Sequence, residues 1–222
     1  NILIMNNFIT TNCILKEFTA ELLKRSSNFS CGDKDLDEFF HNDAETYRTN
    51  LMGKTYCFVL NDNEAEIVAA FTVANDSLRI DDLPNSRRKK MVKRTSKHLK
   101  RYPGVLIGRL GVNTKYQGKG YGSEILEFIK YWFSEPENKT GCRFVIVDAI
   151  NCKKVLDFYR NKVNKFEFLF SSDIQELSYE NQHLTLLDKI KLFFCSKHKE
   201  GKPTTRLMYF DLLDLFNSDK VL

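Results

Sequence analysis

Four of the chain's ten glycines fall between residues 111 and 122, in GVNTKYQGKGYG, immediately ahead of the apolar run SEILEFIKYWF. Glycine costs about 0.5–1 kcal/mol relative to alanine in regular structure, so such clustering asks for a reason, usually a backbone that must come close to a ligand. Two familiar phosphate loops do not fit. A Walker loop needs Ser or Thr after Gly-Lys, but Gly118-Lys119 is followed by Gly120, and Gly111 is too distant to be its first glycine. A dinucleotide fingerprint needs G-x-G-x-x-G, whereas Gly118, Gly120 and Gly122 are spaced at two. What remains is Q-x-x-G-x-G, formed by Gln117, Gly120 and Gly122, after a strand-like run and opening a helical one. Such a turn presents backbone N–H groups with no side chains in the way, and the helix N-terminus adds about half a positive charge. Lys115 and Lys119 add more. A pyrophosphate suits this arrangement.

The elements that must hold this turn can be read around it. Asp33 is a fitting N-cap, and Leu36, Phe39, Phe40, Ala44 and Tyr47 recur at helical spacing, so a helix there should turn these residues to the core. KTYCFVLND and EIVAAFTVAND are β-branched and aromatic runs separated by a turn-like segment, an antiparallel pair. GVLIGRLGV (104–112) is a further strand, and the helix after the glycine turn runs from about 120 to 133, stopped near Pro136. CRFVIVDAI (142–150) reads as a buried strand, KKVLDFYRNK as a short helix, and KFEFLF and TTRLMYFDLL as late strands. Between the last two lies a polar and then amphipathic stretch, 171–202, in which Leu184, Leu187, Ile190, Phe193 and Phe194 have helical spacing. The order predicts a mixed α/β layer fold.

With 222 residues, 42% of them apolar and 18 Phe, the chain has the composition of a globular domain and not of a disordered one. No apolar run approaches the roughly 20 residues that cross a bilayer, and no signal-peptide order is present. Six cysteines without a C-x-x-C pair point to reduced thiols and a cytoplasmic protein. Cys195 and His198 lack the partners a zinc site needs, so no metal is expected. The net charge of +5 selects no partner, but residues 87–101, RRKKMVKRTSKHLKR, carry nine Lys or Arg and no acid. Two readings stay open for this segment: a solvated surface helix, or a phosphate-attracting surface for CoA or RNA.

The glycine turn, the LGV strand end before it, FVIVDA downstream and then FYRNKVNKF together resemble the GNAT superfamily of N-acetyltransferases. The resemblance spans about 29–170 plus the last strand. It implies a GNAT fold with a mixed central sheet flanked by helices, a single domain over 1–222 with an insertion at 171–202 and a final strand at 203–213. It also implies acetyl-CoA as the acyl donor. By the same resemblance, Gln117, Gly118, Lys119, Gly120, Tyr121 and Gly122 hold the CoA pyrophosphate. The backbone of Leu110, Gly111 and Val112 then holds the pantetheine arm and thioester carbonyl, and Tyr159 of DFYRN is the acid that protonates the departing thiolate. The chain departs from the family pattern N-x-x-A-x-x-F-Y. Cys152 stands where Asn is usual, with Asn151 one residue early as the CoA-binding candidate, and Val155 replaces the small Ala. The usual Gly-Phe after the tyrosine is absent, and Lys165-Phe166 comes two residues later. No general base is evident; Glu38, Asp76 and Asp148 are candidates whose bland reading is a cap or a surface acid.

NFSCGDKDLDEFF, LIGRLGV and FVIVDAINCKKVLDFY are each similar to segments of the GNAT toxins that acetylate aminoacyl-tRNA. The function implied is acetyl transfer to a primary amine. Its narrower version has aminoacyl-tRNA as acceptor, with an antitoxin-like partner or a homodimer served by the insertion. An acyl-CoA-binding module without turnover, and an RNA-binding protein working through its basic helix, are the competing readings.

Overall fold

The computed structural model describes residues 7–26, 29–81, 83–92, 99–183 and 203–217. Seven strands form a mixed sheet in the order β1-β2-β3-β4-β5-β7-β6, namely β1 Cys13–Glu17, β2 Lys54–Leu60, β3 Ile67–Arg79, β4 Arg101–Val112, β5 Phe144–Ile150, β6 Glu167–Phe168 and β7 Thr205–Asp211. This is the mixed α/β architecture expected from the sequence. By its contacts the chain divides into two compact units.

The first unit comprises Asn1–Asp76, Pro103–Val145 and Asp211–Leu222. β1 and β2 pair antiparallel from Cys13↔Leu60 to Glu17↔Tyr56, and β2 and β3 from Lys54↔Val73 to Val59↔Ile67. The register slips between Phe58 and Val59, so one extra residue of β3 opposes the pair. The helix expected after Asp33 forms as α3 (Lys34–Glu38) and α4 (Ala44–Thr49), joined by a π-helical turn at Phe39–Asp43. The Asp33 carboxylate accepts the Leu36 N–H at 3.1 Å, as an N-cap should. Phe39, Phe40 and Ala44 bury with Phe18, Leu22, Phe29, Cys57, Val59, Ile67 and Ala70, while Leu36 and Tyr47 pack at the edge of that cluster. Phe40 meets Phe29 and Phe39 edge-on at centroid distances of 5.5 and 5.6 Å, a geometry that lets several rings share one core.

The helix after the glycine turn, α6 (Tyr121–Ser134), buries Ile125, Leu126 and Ile129, and lays Phe128 and Trp132 against Phe58 and Tyr56 of β2 at 5.1 and 4.9 Å. Two short helices, α1 (Phe8–Asn12) and α2 (Ala20–Arg25), flank β1. These three elements lie N-terminal to Asp33, and CILKEF is too short and too mixed in pattern to signal a strand.

The second unit comprises Ser77–Tyr102 and Ile146–Phe210. It holds α5 (Asn85–Val92), α7 (Lys153–Arg160), β6 and α8 (Asp173–His183). Only Glu167 and Phe168 of KFEFLF are strand; Phe166, Leu169 and Phe170 are buried outside it. α8 is anchored on β7 through Arg206, whose guanidinium pairs with both Asp173 and Glu176 and donates to the Phe170 carbonyl at 3.2 Å. The amphipathic helix expected around 184–194 lies outside the described residues, as do 93–98 of the basic segment.

Candidate functional site

The glycine turn begins where β4 ends. Asn113 is 2% exposed and stitches this end to the irregular start of β3. Its N–H donates to Val68 O at 2.8 Å, its Nδ2 donates to Ile67 O at 2.9 Å, and its Oδ1 accepts Lys115 N–H at 3.1 Å. A 3₁₀ turn over Thr114–Tyr116 follows. Gln117 then donates its Nε2 hydrogens to two backbone carbonyls, Cys31 O at 2.7 Å and Val112 O at 2.8 Å. The motif glutamine is thus a brace. It ties the turn to the strand it leaves and to the loop that precedes α3.

The glycines answer to two different demands. Gly118 and Gly120 sit at φ +77° and +86°, the left-handed region where a Cβ is strained, yet no atom stands within 4 Å of where that Cβ would be. Gly120 is the N-cap of α6 and, among the described residues, no side chain caps this helix start and nothing fills the space at its Cβ position. Gly111 is the opposite case. A Cβ there would meet Phe40 Cε2 at 3.0 Å and Cys31 Cβ and Sγ at 3.2 Å, so the strand backbone is pressed against the helix α3 layer.

Of the two lysines expected to add charge, Lys115 is held by Glu66 at 3.0 Å, while exposed Lys119 lies over the Tyr116 ring at 5.8 Å. Tyr121 is stacked on Phe8 at 4.3 Å and 12°, and the Glu124 carboxylate of the first α6 turn accepts the Ile9 N–H at 3.0 Å. Half-buried Leu110 and Val112 flank Gly111 on β4.

Asp37 completes this arrangement. Its Oδ2 accepts Ser30 Oγ–H at 2.6 Å, and its Oδ1 accepts Cys31 N–H at 2.7 Å and Sγ–H at 3.1 Å. Burial works to raise the Asp37 carboxyl, but these hydrogen bonds outweigh it and hold the group below the usual carboxylate range. The Thr114 N–H donates to Ser30 O at 2.9 Å. The segment Ser30–Gly32, with Gly32 at φ +75°, is therefore gripped by Asp37 on one side and by Thr114 and Gln117 on the other. In the sequence Asp37 is one of several acids in DKDLDEFF, and nothing in its spacing singles it out.

Tyr159 lies in the second unit, on the last turn of α7. Its ring packs edge-on against Phe158 at 5.1 Å and Phe166 at 5.4 Å, and its carbonyl accepts the Phe166 N–H at 3.0 Å. Burial pushes the phenol up to about 12, so it stays protonated throughout the neutral range. Lys165 takes φ +56°, the left-handed backbone that a glycine would adopt without strain, directly before Phe166. Asn151 donates its amide Nδ2 to Pro203 O at 2.8 Å and its N–H to Thr204 O at 2.9 Å, which fixes the approach to β7. Exposed Cys152 is the N-cap of α7 and supplies no side-chain hydrogen bond to it. Glu38, Asp76 and Asp148, the candidate bases, are all exposed. Among the described residues no cluster of His, Cys, Asp and Glu could hold a metal ion, and no helix is long and apolar enough to cross a membrane. Cys195 and His198 lie outside the described residues.

Comparison with known proteins bears on the whole chain. No family model matches it. A tRNA-acetylating toxin of Mycobacterium tuberculosis (strain ATCC 25618 / H37Rv) is 26% identical over 125 residues, covering 56% of this chain and 69% of the toxin. Among solved structures, AtaT complexed with acetyl-methionyl-tRNAfMet aligns over 94% of this chain and 99% of its own, at 17% identity and a TM-score of 0.62. AtaTR bound with AcCoA aligns over 94% and 98%, at 16% identity and a TM-score of 0.61. A KacT mutant aligns over 94% and 99%, at 13% identity and a TM-score of 0.56. The fold likeness and the toxin match support the GNAT resemblance read from the motifs.

Proposed function

We infer that this chain is a GNAT-type N-acetyltransferase of the tRNA-acetylating kind, moving the acetyl group of acetyl-CoA to the amine of an aminoacyl-tRNA. The observation that carries the reading is the bare start of α6 behind Gly118 and Gly120, with Gln117 bracing the turn from behind. A helix start with no cap of its own, approached by backbone without side chains, is a receptor for a pyrophosphate. The toxin match and the neighbours solved with acetyl-CoA and with an acetylated aminoacyl-tRNA favour this acceptor over a small amine.

The chemistry proposed is direct transfer. The neutral amine attacks the thioester carbonyl, an N–C bond forms, and backbone N–H groups around Leu110 to Val112 meet the developing oxyanion. The C–S bond then breaks, the amine proton leaves to water, and the Tyr159 phenol protonates the thiolate. A phenol held at about 12 is always loaded for that step, and exposed Glu38, Asp76 and Asp148 are not needed as bases. Lys119 reinforces the phosphate site. We assign Asn151 chiefly to anchoring the chain before β7, because its amide is engaged at Pro203. We propose that 1–222 acts as one acetyltransferase domain, with 171–202 as an insertion available to an antitoxin-like partner.

The test is transfer of labelled acetyl from acetyl-CoA to a mixed pool of charged tRNA, with free amino acids and polyamines in parallel. Label is expected in the aminoacyl-tRNA, and Tyr159→Phe is expected to lower turnover by about 10²–10⁴-fold, the usual worth of a general acid, with acetyl-CoA affinity nearly unchanged. Label only in small amines would replace the acceptor, and equal turnover in the two proteins would remove Tyr159 from the mechanism.

A further inference from the structure

Arg109 stands out among the arginines of the first unit. Arg143 is buried but holds Asp211 through two bonds of 2.7 and 2.9 Å, and half-exposed Arg48 pairs with Glu45. In the second unit Arg206 and Arg87 likewise have carboxylates. Arg109 has none among the described residues. Its Nη1 donates at 2.9 Å to the carbonyl of Gly108, its own chain neighbour, and its Nε–H is buried without an acceptor among the described residues. The guanidinium lies over the Phe39 ring with its central carbon 5.1 Å from the centroid. A buried donor left unmade is destabilising, and a guanidinium kept part-buried without an acid needs an explanation outside the fold.

Its position supplies one. Side chains alternate along a strand, so Arg109 shares a face of β4 with Gly111. That is the face pressed on the helical layer, Gly111 against Phe40 and Arg109 against Phe39. Phe39 opens the π-helical turn, and it fixes the plane of the guanidinium as a stacked aromatic does. One to three residues further along β4 is the backbone proposed to hold the thioester, within about 10 Å at the rise of a strand. The amine of an aminoacyl ester hangs from a ribose whose 5′ side carries a phosphodiester. An amine placed at the thioester therefore brings that phosphate one nucleoside away from it. A planar, always charged fork beside the thioester suits that phosphate.

We propose that Arg109 is a phosphate-binding residue for the acceptor, taking the phosphodiester next to the aminoacylated ribose and so selecting a nucleic-acid amine over a free one. This rests on the aminoacyl-tRNA reading above. Phosphate also belongs to CoA, and the two sources are separable by experiment.

The full chain, Arg109→Gln and Arg109→Lys are compared in three measurements, with melting temperature as the fold control. These are acetyl-CoA affinity by calorimetry, KM for charged tRNA, and the salt dependence of binding to uncharged tRNA. Expected for Arg109→Gln is a rise in KM for charged tRNA of about tenfold to a hundredfold, with acetyl-CoA affinity unchanged. The slope of log affinity against log salt should become shallower by about 0.7, one phosphate of a single-stranded end. Arg109→Lys should keep most of the slope and lose part of the KM, because it keeps the charge and loses the fork. An unchanged KM and slope would overturn the proposal, and so would an equal loss of acetyl-CoA affinity, which would hand the residue to the donor. If the unmutated chain acetylates no charged tRNA, the functional reading fails first. The salt slope on uncharged tRNA then still reports whether Arg109 meets a phosphate.

Discussion

Gly120 offers a perturbation in which backbone and ligand effects have opposite signs. It sits at φ +86° with nothing among the described residues within 4 Å of a would-be Cβ, so alanine and glutamate there meet the same backbone strain and no obstruction at Cβ. That strain is roughly 1–2 kcal/mol for an L-residue in the left-handed region. The two variants part company at the helix end. A carboxylate beside the bare start of α6 is favourable in the free protein by about 0.3–1 kcal/mol, so Gly120→Glu should melt at or slightly above Gly120→Ala. With acetyl-CoA the order reverses. Two unit charges about 4 Å apart repel by roughly 1 kcal/mol in water and about 4 kcal/mol near a protein surface. Against a pyrophosphate of about two charges, even the watery limit gives about 2 kcal/mol, or roughly thirtyfold in affinity. Melting by scanning fluorimetry and acetyl-CoA titration by calorimetry measure the two halves. Gly120→Ala should retain binding while Gly120→Glu loses at least thirtyfold relative to it. Equal affinities would mean that no anion sits at this helix start, and the pyrophosphate assignment would fall with it.

Two further outcomes test the local physics. Lys165 is exposed and held at φ +56°, so Lys165→Gly should relieve left-handed strain and raise stability by about 0.5–1 kcal/mol in urea unfolding; a loss would mean the lysine side chain contributes something its backbone strain hides. Burial pushes the thiols of Cys13, Cys31 and Cys57 up to about 12, while unfolded thiols ionise near 8.5. Their folded pKa being the higher, the stability they contribute is whole below about pH 8.5 and drains as pH rises toward 12. The slope is about 1.4 kcal/mol per pH unit for Cys57, the most deeply buried of the three, and smaller for Cys13 and Cys31, where solvent screens part of the effect. Melting temperatures should be level from pH 7 to 8 and fall steeply above 9, and a flat profile to pH 10.5 would contradict the burial of these thiols.

How far the sequence could be read depended on the reach of each signal. The helix after Asp33, the β2–β3 pair and the helix after the glycine turn were legible because capping, alternation and apolar periodicity are local. So was the glycine turn, since a Q-x-x-G-x-G opening a helix carries its own geometry. The brace behind it was not legible. Gln117 reaches Cys31 across 86 positions, and Asp37 matters only because Ser30 and Cys31 fold back onto it. No periodicity reports such a contact. The sequence also could not say that Gly111 and Gly120 are glycines for unlike reasons, one crowded by Phe40 and Cys31, the other bent in open space. The late strand KFEFLF overran its fold for a related cause: four aromatics and aliphatics promise a strand, but the strand stops at Phe168, with the Leu169 N–H still reaching Leu207 O of β7 at 2.9 Å and Phe170 buried outside the strand.

The basic segment shows how the structure divides a charge run that composition left whole. In its described part, Arg87 and Lys90 both pair with Glu167, at 2.8 and 2.5 Å. Burial raises the Glu167 carboxyl, but Lys90, Arg87 and the Tyr209 hydroxyl together lower it further. One acid thus offsets part of the charge of α5, and Met91 is 1% exposed, so this helix is seated by packing and by ion pairs as a structural element is. A phosphate binding there would have to compete with Glu167 for two of the cations, and each phosphate not neutralised removes a released counterion from the salt slope. Arg88, by contrast, reaches only Asn85 among the described residues, and Lys89 is exposed. The surface reading accounts for Arg87 and Lys90 of α5, whereas Arg88 and Lys89 stand exposed without a carboxylate among the described residues. Arg87 and Lys90 belong to the fold, and under the aminoacyl-tRNA function proposed above any attraction of the acceptor by this helix would fall to Arg88 and Lys89. With two of the four α5 cations paired to Glu167, the proposed acceptor would depend for its placement on a fixed contact near the thioester, the part proposed for Arg109.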